Sequence, residues 1–236
     1  MIDKILSPFA DAFAVIKNAA YQSDRLGDEV NGLFRWLNRI DNADRIPPAI
    51  LYLSRNLHSP TALVRFFTDL ERLAAGLMIR RANINERYGR LLTAIEDEAD
   101  LYADDSPLQL SYHERNDILR ILNGDLYLME KIRLYVLLRL DTEFSEGEAT
   151  YRVPIISVEH VLPQKPNSDS IWLKWFPLQQ DIETCVHHLG NLVLLSRRKN
   201  SQAKNYEFDQ KKQRYFAGGK GTSSFALTTQ VLSEEE

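Results

Sequence analysis

The stretch 61–80 (TALVRFFTDLERLAAGLMIR) limits the fold more than any other. Leu63, Phe66, Phe67, Leu70, Leu73, Ala74, Leu77 and Met78 recur at spacings of three and four, which puts them on one face of an amphipathic helix. Ser59-Pro60 just ahead supplies an N-cap and a first-turn proline. A helix cannot bury such a stripe alone, so other helices must cover it. The sequence offers them at 3–20, 27–40, 48–56 and 85–99, at 108–122 behind Ser106-Pro107, and at 125–140 through Leu126, Met129, Ile132, Val136 and Leu140. Pro47-Pro48, Gly124 and Ala103-Asp104-Asp105 read as breaks between them. Residues 1–145 are therefore expected to form a helical bundle that serves as an interaction region.

The pattern changes at 142–150 (TEFSEGEAT), a short polar linker, and a second domain is expected over 151–236. Residues 152–158 (RVPIISV) are apolar and β-branched, as in a strand, and 192–195 (LVLL) form a second short apolar run. Between them lies a long loop, Leu162 to Gly190, holding Pro163, Pro166, Trp172, Trp175 and Pro177. Loops of that length in a compact domain are usually functional or disordered. From about 197 the sequence turns polar and helical.

Composition removes several classes. Cys185 is the sole cysteine, so an internal disulfide and a Cys-rich zinc scaffold are excluded. Cys185, His187, His188 and His160 lack the paired spacing of a zinc motif. No apolar run is long enough for a membrane span, and the N-terminus lacks a signal-peptide core. The expectation is a cytoplasmic protein without a membrane partner. The overall charge of −4 hides an asymmetry: residues 1–150 carry 18 Lys+Arg against 24 Asp+Glu, whereas 191–220 carry eight basic residues against two acids. A basic stretch on an acidic chain is a possible phosphate footprint, although charge runs are often only a solvated helix face.

Two segments carry chemistry: VEHVLPQ (158–164) and HHLGNLVLLSRRKNSQAKN (187–205). Glu159-His160 falls at the end of one expected strand, Gly190-Asn191 precedes the next, and Asn200 falls in the helix after it. In that layout a carboxylate and an amide oxygen can meet a hard divalent cation, which keeps several waters and takes phosphate oxygens. A neighbouring imidazole can deprotonate the attacking water, because its pKa lies near operating pH.

These residues resemble the HNH, or His-Me finger, nucleases, and more closely the C-terminal nuclease domain of GmrSD-type restriction endonucleases. The likeness is specific over about 155–216 and softer over 45–140. It implies a mostly α chain in which a helical bundle precedes a small ββα-metal module, acting as a divalent-metal-dependent DNA endonuclease in bacterial restriction or anti-phage defence. Carried over residue by residue, His160 matches the general base, Glu159 and Asn200 the ligands of Mg²⁺ or Mn²⁺, and Asn191 the asparagine that braces the base's loop. The family's tail is matched by Phe208, Lys211, Lys212 and Tyr215, whose lysines would touch DNA phosphate; Arg197, Arg198, Lys199 and Lys204 of the basic run join them as candidate nucleic-acid contacts. Two departures stand out. Glu159 is longer by a methylene than the Asp of many HNH enzymes. Nothing in residues 1–150 looks like the family's nucleotide-hydrolysing domain with its DGQQR-like motif, and no Walker A loop is present. A partner NTPase or specificity domain, outside this chain, is therefore expected. The alternative is a catalytically silent module that binds nucleic acid or docks a partner. A nuclease acting on RNA is a third reading.

Overall fold

A computed structural model describes residues 6–87, 89–90, 101–146, 151, 156–196, 205–216 and 225–232. The fold is mostly helical, and the chain divides into two compact units, Met1–Leu119 and Arg120–Glu236. The polar stretch 142–150 is therefore not the boundary. The break falls earlier, because the helix before that stretch packs on the strands that follow it.

In the first unit α1 spans Ser7–Asn18, α2 Gly27–Leu37, α3 Ile46–Asn56 and α4 Pro60–Ile79. The stripe read from the sequence is the buried face of α4, with Leu63, Phe66, Phe67, Leu70, Leu73 and Leu77 fully enclosed. Phe34 of α2 meets Phe67 edge-on with centroids 4.8 Å apart, and Tyr52 of α3 stacks on Phe66 at 3.6 Å. Each buried phenylalanine contributes on the order of 2–3 kcal/mol. Pro47 and Pro48 begin α3 instead of separating helices, because a first turn needs no N–H from them.

Helix α5, Tyr112–Leu122, starts four residues later than the Ser106-Pro107 signature suggests. Ser111 and Glu114 form a capping box: the Ser111 Oγ accepts the Glu114 N–H at 3.3 Å, and Glu114 Oε2 accepts the Ser111 N–H at 2.8 Å. Ser106 instead closes a turn, accepting the Leu108 N–H. Gly76 lets this segment approach α4, since a Cβ there would come within 2.9 Å of Leu110.

In the second unit a 3₁₀ turn, Leu126–Leu128, leads into α6, Glu130–Phe144. Strand β1, Ile156–His160, pairs antiparallel with β2, Leu192–Ser196, so that His160 faces Leu192 across the ladder and Ile156 faces Ser196. The expected first strand thus runs later, through Glu159 and His160, and its positions 152–155 lie outside the described residues. The long loop between the strands is not structureless. It carries α7, Trp172–Trp175, α8, Gln179–Cys185, and a 3₁₀ turn, Leu189–Asn191. Trp172, Ile182 and Val186 are buried with Val193 and Leu195 of β2, and that burial is what folds the loop down. Helices α9, Phe208–Phe216, and α10, Ala226–Thr229, complete the unit.

Strand β2 is enclosed on both faces, which explains its unbroken apolar run. Alternation turns Val193 and Leu195 toward Trp172, Phe208 and Tyr215. Leu194 turns the other way, where the Thr228 hydroxyl accepts its N–H at 3.2 Å and donates to its carbonyl at 2.5 Å. Buried Asp141 at the end of α6 accepts the Leu227 N–H at 2.9 Å, which fixes the start of α10.

Candidate active site

The last residue of β1, His160, is 6 % exposed. Its Nε2 lies 3.4 Å from Nδ1 of His187, and its Nδ1 lies 3.3 Å from Nε2 of Gln164. Both are long hydrogen bonds whose direction depends on the tautomer. Tyr127, in the 3₁₀ turn before α6, packs on the His160 ring with centroids 4.0 Å apart and lies parallel to His187 at 5.4 Å. Its backbone N–H donates to the His187 carbonyl at 3.0 Å. Arg133, one turn into α6, stands over the Tyr127 ring at 4.5 Å and donates to the Tyr127 carbonyl at 2.6 Å. Burial, with the positive field of His187, Lys211 and Arg133, lowers the His160 pKa to about 4. The ring is therefore neutral at pH 7 and able to accept a proton.

The turn after His160 is clipped by one side chain. Asn191 Oδ1 accepts the Leu162 N–H at 2.6 Å, and Nδ2 donates to the Leu162 and Val186 carbonyls at 3.0 and 2.8 Å. The Asn191 carbonyl also accepts the Val161 N–H. An aspartate at this position could not make the two donated bonds.

Glu159 points to the opposite face of β1 from His160, as strand alternation requires. There Lys211 of α9 meets it. The Lys211 ammonium is fully buried and donates to Glu159 Oε1 at 2.9 Å and to the His160 carbonyl at 2.5 Å. Phe208, Lys211 and Tyr215 share one face of α9 at helical spacing, and all three are buried. Burial raises the Glu159 pKa and lowers that of Lys211, and their mutual attraction opposes both shifts. Burial and the Glu159 charge hold the Tyr215 phenol well above its ordinary pKa.

Of the residues expected from the sequence, the fold places His160 and Asn191 at one turn, while the Glu159 side chain, next in the chain to His160, lies on Lys211. Lys211, expected to touch nucleic acid, is instead fully buried on the Glu159 carboxylate. Its neighbour Lys212 is half-exposed, with its ammonium 4.4 Å over the Phe208 ring. Asn200, Arg197, Arg198, Lys199 and Lys204 lie outside the described residues. Among the described residues no group of three or more His, Cys, Asp or Glu is arranged to hold a metal. Cys185 donates to the Asp181 carbonyl at 3.1 Å.

Tyr127 and Arg133 were missed, because 125–140 reads by its apolar stripe as plain helix. His187-x-x-Gly190-Asn191 was the one available signal that a second histidine belongs here.

Residues 112–236 match the family model described as GmrSD restriction endonucleases, C-terminal domain. The chain belongs to this family. No curated protein and no solved structure matches it. The GmrSD match opens at the first residue of α5, so α6 with Tyr127 and Arg133 falls inside the family domain. No described helix is long and apolar enough to cross a membrane.

Proposed function

We propose that this GmrSD C-terminal domain hydrolyses DNA phosphodiesters as a divalent-metal-dependent HNH (His-Me finger) nuclease serving restriction or anti-phage defence. One observation carries the reading: a neutral, enclosed imidazole, His160, ends β1 at a turn that Asn191 holds by two side-chain bonds to Leu162 and ties to Val186 by a third. His160 takes a proton from water as the water oxygen bonds to phosphorus. The bond from phosphorus to the 3′ oxygen breaks, and that oxygen takes a proton from solvent. The proton goes to Nδ1, which exchanges its contact with Gln164 Nε2 for the water, while the Nε2–H donates to His187 and fixes the ring's orientation. Apo contacts of this length rearrange readily when substrate arrives.

The donor set fits a hard cation. Glu159 offers carboxylate oxygen in a setting that already favours positive charge, shown by the ammonium at its Oε1. With the amide oxygen of Asn200, Glu159 would hold one Mg²⁺ or Mn²⁺. When bound, the metal supplies positive charge to the phosphate and to the leaving oxygen. Lys212, with Arg197, Arg198, Lys199 and Lys204, would contact the phosphate backbone, giving affinity without sequence information. An NTPase or specificity partner supplies target choice.

The test is plasmid nicking in Mg²⁺, Mn²⁺ or EDTA by wild type and His160→Ala. Metal-dependent nicking by wild type alone is expected. The Lys211–Glu159 pair favours one other reading, in which Lys211 is the carboxylate's lasting counter-ion and the module binds nucleic acid without cutting. Wild type that binds DNA yet never nicks, with each metal and with its partner and NTP added, establishes that reading instead.

A further inference from the structure

Among the described residues, Arg133 differs from the other enclosed arginines. Arg80 and Arg90 both engage Glu114, and Arg87 pairs with buried Asp44. Arg45, itself buried, lies in the field of Asp44 and Asp41. Arg133 is half-buried, and among the described residues no carboxylate lies within ion-pair distance of it. Its bonded partner is the Tyr127 carbonyl, and its flat face is set by the Tyr127 ring. A guanidinium taken partly out of water without an anion is unfavourable unless a ligand brings one.

The anion's place follows from what surrounds the guanidinium. Tyr127 lies against both His160 and His187, and the Arg133 charge is felt at the His160 ring. The cation is thus held beside the imidazole pair. A planar fork of donors suits two oxygens of one phosphate better than any other common anion except a carboxylate.

We propose that Arg133 is a substrate-contact residue whose guanidinium, aligned by Tyr127, binds the phosphodiester presented to His160. This rests on the nuclease reading and adds to it a residue from the helical segment 126–133. It assigns that segment a direct part in the reaction.

The experiment uses the full chain, with Arg133→Gln and Arg133→Lys beside wild type. A short random-sequence DNA duplex is bound in EDTA across a salt series, and cleavage is followed separately with Mg²⁺. Loss of one phosphate contact should lower the slope of log affinity against log salt by about 0.9 in Arg133→Gln. Its kcat should fall by about 10²–10³-fold if the contact tightens as charge builds on phosphorus. Arg133→Lys should recover the salt slope and part of the rate, because it keeps the charge but loses the fork. An unchanged melting temperature certifies that the fold persists. Should Arg133→Gln unfold the domain, Arg133→Lys decides: a normal melt with wild-type kcat overturns the proposal. It is also overturned if Arg133→Gln keeps the wild-type slope and rate, or if wild type does not bind the duplex. A wild type that binds and shows the slope change but never cuts leaves the Arg133 contact standing and removes the nuclease reading.

Discussion

The two units bury charge for opposite ends. In the first, charges are matched within the fold. Glu114 takes Arg80 at 2.7 Å and also Arg90, and it closes its own helix cap. Burial would raise the Glu114 pKa, but Arg90 and Ser111 hold it down, so the carboxylate stays ionised. Asp44 pairs with Arg87 at 3.1 Å. In the second unit the charged and titratable groups at the end of β1 are matched only in part. Glu159 has Lys211, whereas His160 is kept neutral and Arg133 stands over a ring. Stable folds satisfy buried polar groups. Where a buried or half-buried cation has no anion within the fold, a ligand can supply it.

Replacing His160 is the sharpest way to break that contrast. His160→Ala should abolish metal-dependent nicking, a loss of about 10²–10⁴-fold or more, while circular dichroism and the melting temperature stay near wild type. A large loss of stability would show instead that His160 is only a core residue. Lys211→Met should do the reverse of a surface change. It leaves Glu159 buried without its cation and should cost about 3 kcal/mol in denaturant unfolding, whereas Lys212→Met should cost under about 0.5 kcal/mol and weaken DNA binding. Equal effects from the two lysines would undo their assignment to inside and outside.

Glu114→Gln probes the first unit alone. It should destabilise by about 2 kcal/mol, discounted for partial exposure, with cleavage by the folded fraction unchanged. Asn191→Ala removes three bonds and leaves the Leu162 and Val186 backbone groups unmatched. It should cost about 1–2 kcal/mol and lower kcat, with little change in DNA affinity.

The smallest effect is on pH. The folded His160 pKa of about 4 lies below its unfolded value of 6.5, so between those values the unfolded chain binds more protons. The stability contributed by neutral His160 is complete above 6.5 and declines as pH falls toward 4. The acid limb of the rate profile should accordingly appear below about pH 5 instead of near 6.5. A limb near 6.5 would mean that the ring is far less enclosed than its surroundings indicate.

Much of the first unit was legible. The α4 stripe is local information, since a period of three to four fixes which face is buried whatever covers it. The Glu159-His160 and Gly190-Asn191 motifs were legible for a related reason: each lies at a strand end, where a short pattern sets geometry. The domain boundary was not legible, because polarity at 142–150 says nothing of what α6 packs against. Lys211 misled for the same reason. A lysine beside another lysine in a basic run looks solvated, and only the orientation of α9 over β1 turns one inward and leaves the other at the surface.

The sequence by itself determined the helices, the two apolar strands and the identity of the histidine that ends the first. Periodicity and side-chain type act over a few residues and need no distant partner. Tertiary structure alone decided that Lys211 neutralises Glu159 across 52 residues of chain, that His187 stands against His160, and that Tyr127 and Arg133 join them from the 3₁₀ turn and helix ahead of β1. Those arrangements depend on which faces meet after collapse, and a buried charge takes its meaning from its neighbours in space.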